Sequence, residues 1–145
     1  MGKRRAGREL ALKVLFQIDV GKLPAEEALA FAAENARYES EAFDFARELV
    51  EGVLGQLPTI DQAIESYARE WTLDRMANID RNILRISAFE ILFSPNVPAS
   101  VAADEAVELA KKYSTAESGR FINGILGNLI RHHPRPGAPS SPEPG

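Results

Sequence analysis

WTLDRMANIDRNILRISAFEILF, residues 71–93, is the stretch whose pattern decides the fold. Read on a 3.6-residue period, Ile79, Ile83, Ile86 and Phe93 fall on one side of a helix, and Leu84, Ala88 and Ile91 on another. A surface helix needs one apolar stripe. A helix with two is covered on both flanks, so this stretch predicts the central pillar of a helical domain.

Working back from the pillar, Thr59 and Gln62 have the spacing of a capping box and predict a helix from Thr59 to Arg69. Leu57-Pro58 ends the helix before it, whose inward residues are Phe43, Ala46, Leu49, Val50, Val53 and Leu54. A break near Tyr38 to Ser40 separates that helix from one opened by Pro24, Glu26 and Glu27, with Leu29, Ala32, Ala33 and Ala36 as its stripe. Gly21 to Pro24 interrupts the pattern ahead of it. The first helix, KRRAGRELALKVLFQIDV over residues 3–20, puts Leu10, Ala11, Val14, Leu15 and Ile18 on one face.

Working forward, Ser94 to Pro98 is a turn with two prolines. A helix from about Ser100 to Tyr113 follows, with Asp104 and Glu105 near its start, Lys111 and Lys112 at its end, and Ala102, Ala106 and Ala110 facing inward. Ser114 and Glu117 read as a capping box for a last helix with Ile122, Ile125, Leu126 and Leu129 in its stripe. No sustained strand alternation occurs. The expected fold is all-α, with six or seven helices in a compact bundle or pair of bundles. Residues 1–131 make that helical domain, and 132–145, rich in proline, serine and glycine, make a disordered tail.

Composition narrows the function. The absence of cysteine excludes a disulfide scaffold, a thiolate nucleophile and a cysteine-ligated metal. No apolar run reaches the roughly 18 residues of a membrane span, and no signal-peptide pattern follows the charged start, so a cytoplasmic protein without a membrane partner is expected. Net charge is −4, from 17 basic and 21 acidic side chains, but it is unevenly spread. Lys3, Arg4, Arg5, Arg8 and Lys13 face a single acid, Glu9, in the first 13 residues, leaving 12 basic and 20 acidic side chains for the rest. Cations at a helix N-terminus oppose the macrodipole by roughly 0.3–1 kcal/mol each when exposed. Helix stability therefore does not account for them; they form either a phosphate-tracking patch or a solvated arm.

Catalytic groupings are lacking: no Gly-rich phosphate loop, no HExxH and no nucleophile elbow, with His132 and His133 adjacent in the tail. No catalysis, cofactor or metal is assigned. Phe121 sits at the rim of the last stripe, one helical turn from Glu117, Arg120, Gly124 and Asn128. An aromatic beside arginines is a platform for unstacked bases; the plainer reading extends the core. Gly124 and Gly127 signal close helix packing or ligand access. Asp80 is either an interface residue or an exposed acid. Glu90, on the wheel between Ile83 and Ile86, is either paired with an arginine or a helix end, or directed to a partner protein.

Three blocks, RRAGRELALKVLFQ, WTLDRMANIDRNILRISAFEIL and VPASVAADEAVELAKKYSTAESGRFINGILGNL, resemble in content and order the NusB family of transcription antitermination factors, over Arg4 to about Ile130. The resemblance implies two three-helix bundles. It implies binding of boxA-type RNA together with the small-subunit ribosomal protein that acts as NusE, and an indirect link to the RNA polymerase elongation complex. It places the N-terminal RNA-binding motif on Arg4, Arg5 and Arg8, with Lys3 beside them, and an RNA-contacting segment on Glu117, Arg120 and Phe121. It places Asp80 at the interface with the ribosomal protein and Glu90 in a tyrosine-glutamate pair. Here Phe89 replaces the tyrosine and removes its hydroxyl, and Gly127 stands where some relatives carry an acid. The family varies in oligomeric state, which leaves both monomer and homo-oligomer open. The alternative to the RNA-binding adaptor is a protein-only helical scaffold with an incidental arginine arm.

Overall fold

The computed structural model describes residues 2–35, 40–68 and 72–133. Among them are seven α-helices and no strand: α1 (Lys3–Asp19), α2 (Ala25–Asn35), α3 (Ser40–Gly55), α4 (Leu57–Tyr67), α5 (Asn78–Phe93), α6 (Ala99–Tyr113) and α7 (Ala116–His132). Ala36, Tyr38, Arg69, Trp71 and the tail from residue 134 lie outside the described residues.

The two-sided apolar pattern of α5 makes it the pillar. Ile83, Leu84, Ile86, Ala88 and Ile91 are all buried, and α5 packs against α1, α3, α4, α6 and α7. One group is α1 with α2 and α3; in the other, α6 and α7 close on α5, with α4 against α5 and α7. The helix is shorter than the quoted stretch. Leu73–Arg75 forms a 3-10 turn, and an extended Met76 followed by Ala77 separates it from Asn78. That turn carries Leu73 and Met76 into the core, three residues apart, a spacing that one tight turn satisfies.

α1 is buried on more faces than its stripe implies. Gly7 through Leu12, Val14 and Leu15 are all enclosed, because α2, α3 and α5 surround it. Its charges oppose its dipole at both ends, and other helices answer them. At the C-terminal end Asp19 accepts hydrogen bonds from Arg81 (2.8 Å) and Asn82 (3.0 Å), while Arg85 bridges Asp19 (3.4 Å) and Asp61 of α4 (2.9 and 3.0 Å).

Several helix starts differ from the expected ones. α4 begins at Leu57 with Pro58 in its first turn, where the missing N–H has no helical partner to lose, so Thr59 lies inside the helix rather than capping it. α6 begins at Ala99, which moves Asp104 and Glu105 out of the first turn. Thr115, not Ser114, caps α7, its hydroxyl accepting from the Ser118 N–H at 2.9 Å. In α2, Ala33 is exposed while Ala28, Leu29 and Ala32 are buried. α7 runs through His132, and the two histidines pack on Tyr67. His132 stacks on its ring at 5.9 Å, and the Tyr67 hydroxyl lies 2.8 Å from His133 Nδ1.

Candidate nucleic-acid interface

The basic start of α1 has no acid in its first turn and no side-chain cap at Gly2. Its charges are met from elsewhere in the chain. Lys3 Nζ lies 2.6 Å from Glu41 of α3, and Arg5 grips Glu105 of α6 through two hydrogen bonds of 3.0 and 2.8 Å. The Arg5 guanidinium, hydrogen-bonded to Glu105, holds that carboxyl below the usual carboxylate range against the opposing effect of burial. Arg4 is exposed, its guanidinium 5.6 Å from the centre of the Phe45 ring of α3.

Arg8 and Glu90 correct a surface assignment. Arg8 is 4% exposed and Glu90 1%, joined by hydrogen bonds of 2.8 and 2.9 Å. Of the two readings left open for Glu90, the one paired with an arginine is what the structure contains. Arg8 lies one turn deeper than Arg4 on a helix that is enclosed from Gly7 onward, so it is structural here rather than open to a phosphate. Phe89, in the tyrosine position, occupies the space a side chain on Gly52 would take and lies 5.9 Å from the Phe93 ring. Its surroundings are apolar rather than a hydrogen-bond site.

The last helix contributes a second surface. A cleft of about 340 Å³ opens between the 3-10 turn with the start of α5 and the start of α7, and Arg75, Asp80, Thr115, Glu117, Ser118 and Phe121 line it. Asp80, expected at a protein interface, therefore shares one cleft with Glu117 and Phe121, expected at RNA. Asp80 is 7% exposed; Ser118 Oγ donates to its Oδ2 at 2.8 Å, and its Oδ1 is buried with no hydrogen-bond partner among the described residues. Phe121 is half-buried, packing on the core from the rim, which joins the two readings of it. Arg120 is exposed and faces a different groove, between α6 and α7, with Lys111 and Asn123. That groove shares Glu108 and Lys111 with a third, between α1 and α6, which contains Arg5 and Lys112. The surface thus passes from Arg5 to Arg120 over α6.

Close packing does not explain Gly124 and Gly127 of α7. A Cβ at Gly124 would meet nothing within 4 Å, and one at Gly127 would meet only the Arg131 side chain. The residues missed in the sequence are Glu41, Phe45, Glu105 and Lys112. Gly7 was the one local signal for the two on α3, Glu41 and Phe45: a Cβ there would fall 2.8 Å from the Phe45 ring and 2.9 Å from the Ala42 carbonyl oxygen, so only glycine lets α3 come this near.

An all-helical domain of two linked bundles, with a cationic helix end and an aromatic cleft, is the class that fold and site define. The chain belongs to the NusB family, whose sequence model matches residues 5–131. It is 49% identical over 128 residues to the transcription antitermination protein NusB of Heliobacterium modesticaldum, an alignment covering 88% of this chain and 62% of that protein. Among solved structures, T. maritima NusB is similar with a TM-score of 0.83 and 36% identity, covering 92% of this chain and 93% of that one. The factor in a crystal structure of antitermination factors NusB and NusE with double-stranded RNA is similar with a TM-score of 0.81 and 26% identity, over 90% of this chain and 98% of that one.

Proposed function

We propose that this chain is a transcription antitermination factor that binds boxA-type RNA together with the ribosomal protein acting as NusE, and through them meets the RNA polymerase elongation complex in the cytoplasm. The names of its relatives and the NusB–NusE–RNA complex support the reading. The observation that carries it is Arg4, exposed at the positive end of α1's dipole with no carboxylate partner among the described residues, beside Arg5, whose side chain stays half-exposed in its pair with Glu105. Lys3, Arg4 and Arg5 neutralise phosphates, Phe121 offers its rim-exposed ring to a base, and Asp80 lies where the partner protein approaches. The role is binding rather than catalysis, performed by residues 1–131.

The test is the salt dependence of RNA binding. Replacing Arg4 and Arg5 by alanine flattens the slope by about 0.7 log units per log salt for each single-strand phosphate that is no longer neutralised. An unchanged slope counts against the reading. A second reading, a helical scaffold that binds protein alone, draws on the pairing of Lys3, Arg5 and Arg8 with carboxylates. It predicts no RNA retention at physiological salt with normal binding of the ribosomal protein.

A further inference from the structure

The four cations at the start of α1 come from one helix, and the three carboxylates that meet them come from three others. Glu41, Glu105 and Glu90 belong to α3, α6 and α5, and only Arg4 lacks a carboxylate partner among the described residues. The basic end of the sequence is therefore nearly neutral in the fold. The pairs are graded in depth. Lys3 and Glu41 are 50% and 70% exposed, Arg5 and Glu105 50% and 16%, Arg8 and Glu90 4% and 1%. The outer two pairs are within reach of a phosphate; the innermost is not.

We infer that RNA binding at this end is an exchange in which phosphates displace Glu41 from Lys3 and Glu105 from Arg5, so that these two carboxylates set the affinity. The inference rests on the RNA-binding reading above. A carboxylate and a phosphate compete for the same guanidinium fork. Glu105 takes Nε and one N–H of Arg5, which leaves the remaining donors for a first phosphate contact before exchange. Once released, Glu105 is not stranded: its Oε1 already lies 3.9 Å from the Arg8 guanidinium. Arg8, fixed by Glu90, thus receives the displaced charge, and Arg4 makes the contact that needs no exchange.

The experiment is a fluorescence-anisotropy titration of labelled single-stranded boxA-type RNA with the full chain and its Glu105→Gln and Glu41→Gln variants, at low ionic strength and at about 0.15 M salt. Each variant tightens binding by about twofold to fivefold, the span that pairs of this exposure are worth, with a smaller gain at the higher salt. Glu41→Gln lies in an exposed pair, so it reports even where Glu105→Gln perturbs packing. Glu51→Gln, about three turns further along α3, makes the same change in net charge and leaves the affinity within about 1.5-fold. Unchanged or weaker binding by both Glu41→Gln and Glu105→Gln overturns the exchange, as does an equal gain for Glu51→Gln. No binding by the unmodified chain overturns the RNA-binding reading itself.

Discussion

Arg8 and Glu90 give the sharpest energetic prediction. The two side chains are 4% and 1% exposed and meet through two parallel hydrogen bonds of 2.8 and 2.9 Å, so neither charge has water to fall back on. Removing one partner of a buried pair costs about 3–5 kcal/mol, a large share of the roughly 5–15 kcal/mol that holds a domain of this size. Arg8→Ala and Glu90→Ala each fall in that range, since each leaves one charge of the pair in the interior. Arg8→Met with Glu90→Leu replaces both charges by apolar groups of similar volume and returns to within about 1 kcal/mol of the unmodified chain. Urea unfolding at neutral pH, followed by circular dichroism as a double-mutant cycle, measures all four species. A loss below about 1 kcal/mol for Arg8→Ala, or a double variant as unstable as the sum of the singles, refutes the reasoning.

Gly52→Ala puts a methyl group into the Phe89 ring and lowers stability by about 1–3 kcal/mol, read from the urea midpoint; Phe89→Leu in the same background restores part of it. Gly124→Ala meets open space, so it raises stability by about 0.5–1 kcal/mol, and the thermal midpoint shows it. Burial pushes the Asp19 carboxyl up, but hydrogen bonds from Asn82 and Arg81 and the charges of Arg81 and Arg85 outweigh it and hold the group below its ordinary value. A depressed carboxylate contributes stability that is present above the unfolded value, about 3.9, and is lost as pH falls through the lower folded one. The gap in unfolding midpoint between the unmodified chain and Asp19→Asn therefore narrows as pH drops below about 4; a gap independent of pH contradicts this.

Periodicity located what lies along each helix. The stripe of α7 and the middle of both α5 stripes are buried as their spacing implies, Ile79 and Phe93 at the ends of α5 are partly buried, and Phe121 stands at the rim where its position on the wheel puts it. What spacing along one helix does not carry is who stands opposite. Arg5 meets a carboxylate 100 residues away and Arg8 one 82 residues away, and composition counted those acids as part of a separate, negative body. Glu105, read in the sequence only from its place near the start of α6, is one of those acids and faces α1. Cap assignments slipped by one residue where neighbouring hydroxyls compete, at Ser114 and Thr115, and by three at Thr59, where the helix starts from Gln56. The cleft joining Asp80 to Phe121 was illegible for a similar reason: its walls come from segments 38 residues apart, joined by the Ser118–Asp80 hydrogen bond.

The central claim, that one helical body binds RNA and a ribosomal protein together, is tested most directly by a single titration. Labelled boxA-type RNA, single-stranded and duplex in parallel, is titrated with this chain alone and then with the ribosomal protein acting as NusE present at saturation. The account predicts a dissociation constant at least about fivefold lower with the ribosomal protein, a coupling of about 1 kcal/mol. Equal affinities with and without it contradict the account.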